Sequence, residues 1–327
     1  TVGLVNSGIM QLTQALGVIL GANIGTTITA WILVINLGMY GLPILGLFSL
    51  VYLFTRNEKV RFISMAIMGI GMIFFGLSLM SDGFKPFRDD PVFKSFFEMF
   101  KADSYFGVLG CALVGCVVTL IIQSSSAAVG ITLALVVQGI ISMQAGAALV
   151  LGENIGTTIT AMLASIGMGT NAKRAAYFHI IFNVIGVIWV SAIFSLFMVL
   201  VKYIVCQIFG IEDFDAMNLN EKGVGIYQNR QLVISATHST FNIVNVILFL
   251  PFLGVFNTLL IKFVKEKKEN RKTLTRLEFR LDDSPLMQIE QSQIEIEKMG
   301  DRTKSMLAQL KEYYGAEENK RKELVKL

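Results

Sequence analysis

The first 55 residues of the chain contain no Asp, Glu, Lys, Arg or His, and between Asp103 and Lys173 the only charged side chain is Glu153. Burying one ionised group in hydrocarbon costs about 2.5 to 3.5 kcal/mol or more, so long runs without charge select for segments that cross a membrane. With no water to satisfy the backbone there, such segments must be helices or closed barrels. The apolar runs here are continuous rather than alternating, which selects helices. They fall at about 9–35, 42–55, 62–81, 106–122, 127–166, 176–206 and 231–264. Several are shorter than the roughly 20 residues of a straight crossing or are interrupted by Gly and Ser, so some helices are expected to be broken or re-entrant.

The missing charge collects at the other end. Residues 265–327 hold 28 of the chain's 52 charged side chains, and they begin with the run KEKKENRK. This divides a membrane body, 1–264, from a water-exposed tail, 265–327. A basic run beside a membrane segment marks the cytoplasmic face, and the uncharged spans argue against nucleic acid as a partner. In the tail, Ile289, Ile296, Met299, Met306, Leu310 and Tyr313 recur at three- and four-residue spacing, which predicts an amphipathic helix requiring a helical partner, another copy included. Cys111, Cys116 and Cys206 form neither a metal-binding spacing nor a disulfide framework. No covalent cofactor is expected.

Within the body, GANIGTTITA at 21–30 returns as GENIGTTITA at 152–161, an offset of 131 residues that holds without a gap back to Thr1 against Thr132. The chain is a duplication, with one repeat at about 1–81 and the other at about 106–264. Loop charges give the repeats their sense. Loop 56–61 carries Arg56, Lys59 and Arg61, loop 171–175 carries Lys173 and Arg174, and the tail opens with Lys265; all three are expected inside. Loop 207–229 is net acidic and, with 36–42, is expected outside. The first copy then ends outside and the second inside, which predicts two inverted-topology repeats around a midplane site. Segment 83–104, rich in Phe and mixed charge, is expected to lie as an interfacial helix on the outer surface.

The polar residues inside the apolar spans carry the chemistry. Gln123, Ser124, Ser125 and Ser126 precede an apolar run, and serines there suit the N-cap of a half-helix whose free N–H groups favour an anion. Asn23, Thr26 and Thr27, with Asn154, Thr157 and Thr158, add amides and hydroxyls around glycines that permit close backbone approach. Glycines used only as helix contacts are the plainer alternative, but they leave the serine cluster and the identical polar units unexplained. Neutral donors and hard oxygen ligands suit a small oxyanion together with an alkali cation, and the repeat cores contain no Lys or Arg to balance the anion. Cation and anion would then stabilise each other's binding, the coupling a symporter needs.

Glu153, whose counterpart is Ala22, must be protonated, paired with a distant base, or close to bound cations; it is expected to tune the cation side of the coupling. A smaller echo is HIIFN at 179–183 and HSTFN at 238–242, which puts each His and Asn on one helix face. Hydrogen-bonded structural histidines, or a proton or substrate role, both fit. An intramembrane serine hydrolase using Ser124, Ser125 or Ser126 with His179 or His238 is the enzymatic alternative.

QSSSA at 123–127 combined with the duplicated G-x-N-I-G-T-T at 21–27 and 152–158 resembles the type II sodium/phosphate cotransporter family, bacterial members in particular. The resemblance covers about residues 1–264, and the tail resembles the start of a PhoU-like helical domain. It implies an all-α, polytopic protein of the bacterial inner membrane with a cytoplasmic C-terminus, importing inorganic phosphate with sodium by alternating access. Gln123, Ser124, Ser125 and Ser126, with Asn23, Thr26, Thr27, Asn154, Thr157 and Thr158, would bind the substrate, and Gln123, Ser125, Thr27 and Thr158 would be sodium ligands. A second Gln-Ser-Ser is expected about nine residues before Thr1. Another small oxyanion as substrate, or a membrane phosphate receptor acting through the tail, are the rival readings.

Overall fold

The computed structural model describes residues 1–35, 38–84, 101–219, 225–265 and 285–315. These residues are almost entirely helical, with six helices long and apolar enough to cross a membrane: Leu12–Val34, Glu58–Met80, Tyr105–Ile122, Met143–Ala164, Thr170–Ala192 and Arg230–Phe263. The chain is an all-α, polytopic membrane protein.

In chain order, α1 (Val2–Asn6), α2 (Leu12–Thr26) and α3 (Ile28–Val34) carry the first Asn-Ile-Gly-Thr-Thr unit. A hairpin follows, α4 (Gly38–Phe54) and α5 (Glu58–Phe84). The second copy is built from α6 (Tyr105–Ile122), α7 (Ser125–Val137) and α8 (Met143–Ala164). Then come α9 (Thr170–Ala192), α10 (Phe194–Phe209), a two-residue hairpin of β1 (Asn218–Leu219) with β2 (Gly225–Ile226), α11 (Arg230–Phe249), α12 (Leu253–Phe263) and the tail helix α13 (Pro285–Gly315). Residues 85–100, the bulk of the expected interfacial helix, lie outside the described residues, as do 266–284.

The duplication extends to the backbone. Helix α2 starts at residue 12 and α8 at residue 143, and 143 − 12 = 131. Each is preceded by a glycine in the left-handed region, Gly8 at φ +79° and Gly139 at φ +70°, a conformation only glycine adopts without strain. That turn, followed by Ser142 accepting from Ala145 N at 3.1 Å as an N-cap, divides the apolar stretch 127–166 into two helices. Pro251 accounts for the short 3-10 turn Leu250–Phe252 between α11 and α12, since a proline interrupts the helical hydrogen-bond ladder. The copies differ at one point: α2 stops at Thr26 and restarts as α3, whereas α8 runs through the same motif unbroken.

Packing explains half of the motif glycines. A Cβ on Gly152 would strike the Ala112 carbonyl, one on Gly156 would lie 2.6 Å from Cys116 O, and one on Gly115 would strike the Leu149 carbonyl. Small residues therefore let α6 and α8 touch backbone to backbone, as membrane helices do. Gly21 and Gly25, the first-copy counterparts, have no atom within 4 Å of such a Cβ. The main apolar core lies among α6, α7, α8, α9, α10 and α11; a second sits between α2, α9, α11 and α12 around the rings of Phe178, Phe182, Phe249 and Phe256.

Candidate substrate and ion site

The break between α6 and α7 falls at the Gln-Ser-Ser-Ser cluster. Gln123 caps α6 in the left-handed conformation (φ 57°), a rare state for a residue with a Cβ, and Ser124 is the N-cap of α7, its Oγ accepting from Ala127 N at 3.3 Å. Ser125 is the first residue of α7, where backbone N–H groups have no helical partner. Ser126 Oγ donates to Thr29 Oγ1 at 3.3 Å, tying this turn to α3 of the first copy.

In front of Ser125 lies a cavity of about 50 Å³, several times the roughly 10 to 15 Å³ that one water centre requires. Apart from Ser125 and Val129 of α7, its walls come in pairs: Ala22 with Glu153, Asn23 with Asn154, and Thr26 with Thr157, each 131 residues apart, and His179 with His238 from the two His-x-x-Phe-Asn units. The neighbouring threonines do not line it. Thr27 and Thr158 are buried and donate to Ile24 O (2.8 Å) and Ile155 O (2.6 Å) of their own helices. Gln123 and Ser124 are exposed and lie outside the cavity wall, as does Ser126.

The two asparagines are held by matching networks. Asn23 Nδ2 donates to Ile19 O at 2.8 Å, which turns its Oδ1 outward to accept from Asn183 Nδ2 (3.3 Å) and His179 Nε2 (3.4 Å) of α9. Asn154 Nδ2 donates to Val150 O at 2.8 Å, and its Oδ1 accepts from Asn242 Nδ2 (3.0 Å) and His238 Nε2 (3.3 Å) of α11. Because an amide oxygen only accepts, each Nε2 carries the proton, and Nδ1 of the neutral ring is left as an acceptor. The sequence placed each His and Asn on one face; that these faces grip the Asn-Ile-Gly-Thr-Thr units 156 and 84 residues away was carried by no spacing in it. The histidines are thus both hydrogen-bonded within the bundle and part of the cavity wall.

The family model for the Na+/Pi-cotransporter matches residues 1–82 and 91–211. The chain belongs to this family. It is a family of transporters rather than enzymes, which sets the hydrolase alternative aside. Among individual relatives, YqeW of Bacillus subtilis (strain 168), named without an activity, is 33% identical over 186 residues, 57% of this chain and 59% of that protein. YjbB of Escherichia coli (strain K12), whose name provisionally assigns it inorganic phosphate export, is 25% identical over 322 residues, 98% of this chain and 54% of that protein. Human sodium-dependent phosphate transport protein 2B is 40% identical over 80 residues, 23% of this chain and 12% of that protein. The chain spans somewhat more than half the length of the bacterial relatives it matches. No solved structure matches it.

Proposed function

We propose that the full-length protein is a sodium-coupled inorganic phosphate symporter of the bacterial inner membrane that imports phosphate by alternating access. The observation that carries this reading is the cavity itself, in which a transporter of the Na+/Pi family presents the same amide, hydroxyl and imidazole groups twice. Phosphate would sit against Ser125 and the free N–H groups at the start of α7, where the helix dipole favours an anion, with Asn23, Thr26, Asn154 and Thr157 around it. Gln123, Ser124 and Ser126 would shape that turn. Sodium would be held by oxygens of Gln123, Ser125, Thr27 and Thr158; the two threonine hydroxyls donate to their own helices and keep lone pairs for an ion.

An inverted arrangement of the repeats has support at both ends of the molecule. Next to Gly139, Tyr227 N donates to Val137 O at 2.9 Å, just ahead of the start of α11. Next to Gly8, Asn6 Oδ1 accepts from Gly169 N at 2.8 Å, and Arg174 in the first turns of α9 donates to Val264 O at 2.7 Å, beyond the end of α12. Helices α11 and α12, joined at the Leu250–Phe252 turn, run from one of these places to the other, which supports equivalent turns of the two repeats on opposite faces. Residues 171–175, expected as a loop, form the first turns of α9, and Arg174 there ties them to Val264 at the end of the membrane body, in keeping with a cytoplasmic C-terminus and a PhoU-like helical domain beginning next to it.

The test is radiolabelled phosphate flux in proteoliposomes with sodium gradients of either sign, with sulfate and arsenate as competitors. Uptake driven by inward sodium is expected; sodium-independent flux would overturn the coupling. Export is a second reading, favoured by the match to YjbB along nearly the whole chain. Phosphate leaving preloaded vesicles without any response to sodium would establish it.

A further inference from the structure

Among the paired cavity residues, Glu153 alone has a chemically different counterpart, Ala22. It is 2% exposed and charged in type, yet its only partner among the described residues is a hydroxyl: Thr132 Oγ1 donates to Oε1 at 2.7 Å, and no donor reaches Oε2. His238 shares the cavity wall with Glu153, and its buried Nδ1 is without a partner as well. With Nε2 donating to Asn154, that Nδ1 is an acceptor. Buried acceptors without donors are costly, and an unpaired carboxylate more so, unless a positive charge completes them. The carboxylate and the Thr132 hydroxyl are hard oxygens, which suit an alkali cation.

We propose that Glu153 is the anionic ligand of a monovalent-cation seat found in the second repeat alone, with Thr132 bonded to it and His238 on the same cavity wall. The seat stands without the symport reading.

Two measurements on the full-length protein test the seat. A hydrophobic carbodiimide modifies carboxyl groups in apolar surroundings, and peptide mass spectrometry locates the adduct; sodium, at fixed pH and against choline, is expected to slow modification of Glu153. Equilibrium binding of radioactive sodium without phosphate is expected to weaken about 5- to 150-fold in Glu153→Gln, the span of typical coupling between sites. Equal modification with and without sodium, protection that follows pH alone, or unchanged sodium binding in the variant would each overturn the seat. If vesicles carry no phosphate while sodium still protects Glu153, the transport reading fails and the seat stands. If phosphate flux needs sodium but Glu153 is indifferent to it, the reverse holds.

Discussion

Asn154 and Asn23 each present one amide oxygen to two donors from another helix, and that repetition allows a test that a single network could not. Asn183→Ala and Asn242→Ala each remove one donor from an otherwise intact triad. Leaving a buried acceptor short of a partner costs about 1 to 3 kcal/mol. Each variant is therefore expected to weaken phosphate half-saturation about 5- to 150-fold, and the two by similar factors, in uptake assays at equal expression. A large effect from one and none from the other would mean that the paired networks have no common task. At this scale the sequence was informative about chemistry and poor about direction. It marked both Thr26 and Thr27, but neighbours on a helix point about 100° apart. All four threonine hydroxyls donate to carbonyls of their own helices, but only Thr26 and Thr157 line the cavity.

Helix α6 holds two glycines in contrasting surroundings. A Cβ at Gly115 would strike the Leu149 carbonyl of α8, whereas a Cβ at Gly110 meets nothing within 4 Å. Gly115→Ala must push two backbones apart and is expected to lower the unfolding temperature in detergent by several degrees, as overpacking costs about 1 to 3 kcal/mol. Gly110→Ala is expected to leave it unchanged or raise it slightly, since alanine exceeds glycine in helix propensity by about 1 kcal/mol. Two equal shifts would argue against the close contact of α6 with α8. The apolar runs identified the helices, and the places where they break were less legible. The stretch 127–166 reads as one apolar block because a five-residue turn, 138–142, contains only one glycine and one serine to mark it, and the ring of Tyr227, 2.6 Å from where a Cβ on Gly139 would be, comes from far along the chain.

For the molecule as a whole, sidedness is the property most open to disproof. On a background lacking Cys111, Cys116 and Cys206, a membrane-impermeant thiol reagent applied to intact cells is expected to label Asn218→Cys and to spare Asn57→Cys and Gly169→Cys. Labelling of both Asn218→Cys and Gly169→Cys would put the equivalent turns of the repeats on one side. Loop charge made this expectation possible from sequence; the partners of the two asparagines, far along the chain, did not show there. Those separations bear on how the protein is made. Asn23 meets His179 only after 156 further residues have been synthesised, which at about 5 to 20 residues per second takes roughly 8 to 31 s, while Asn154 waits 84 residues for His238. Through that interval the amide oxygen of Asn23 lacks both donors of α9. The bond from Asn23 Nδ2 to Ile19 O is available as soon as the helix itself exists, so half of the amide is sheltered from birth and its oxygen alone has to await the ribosome.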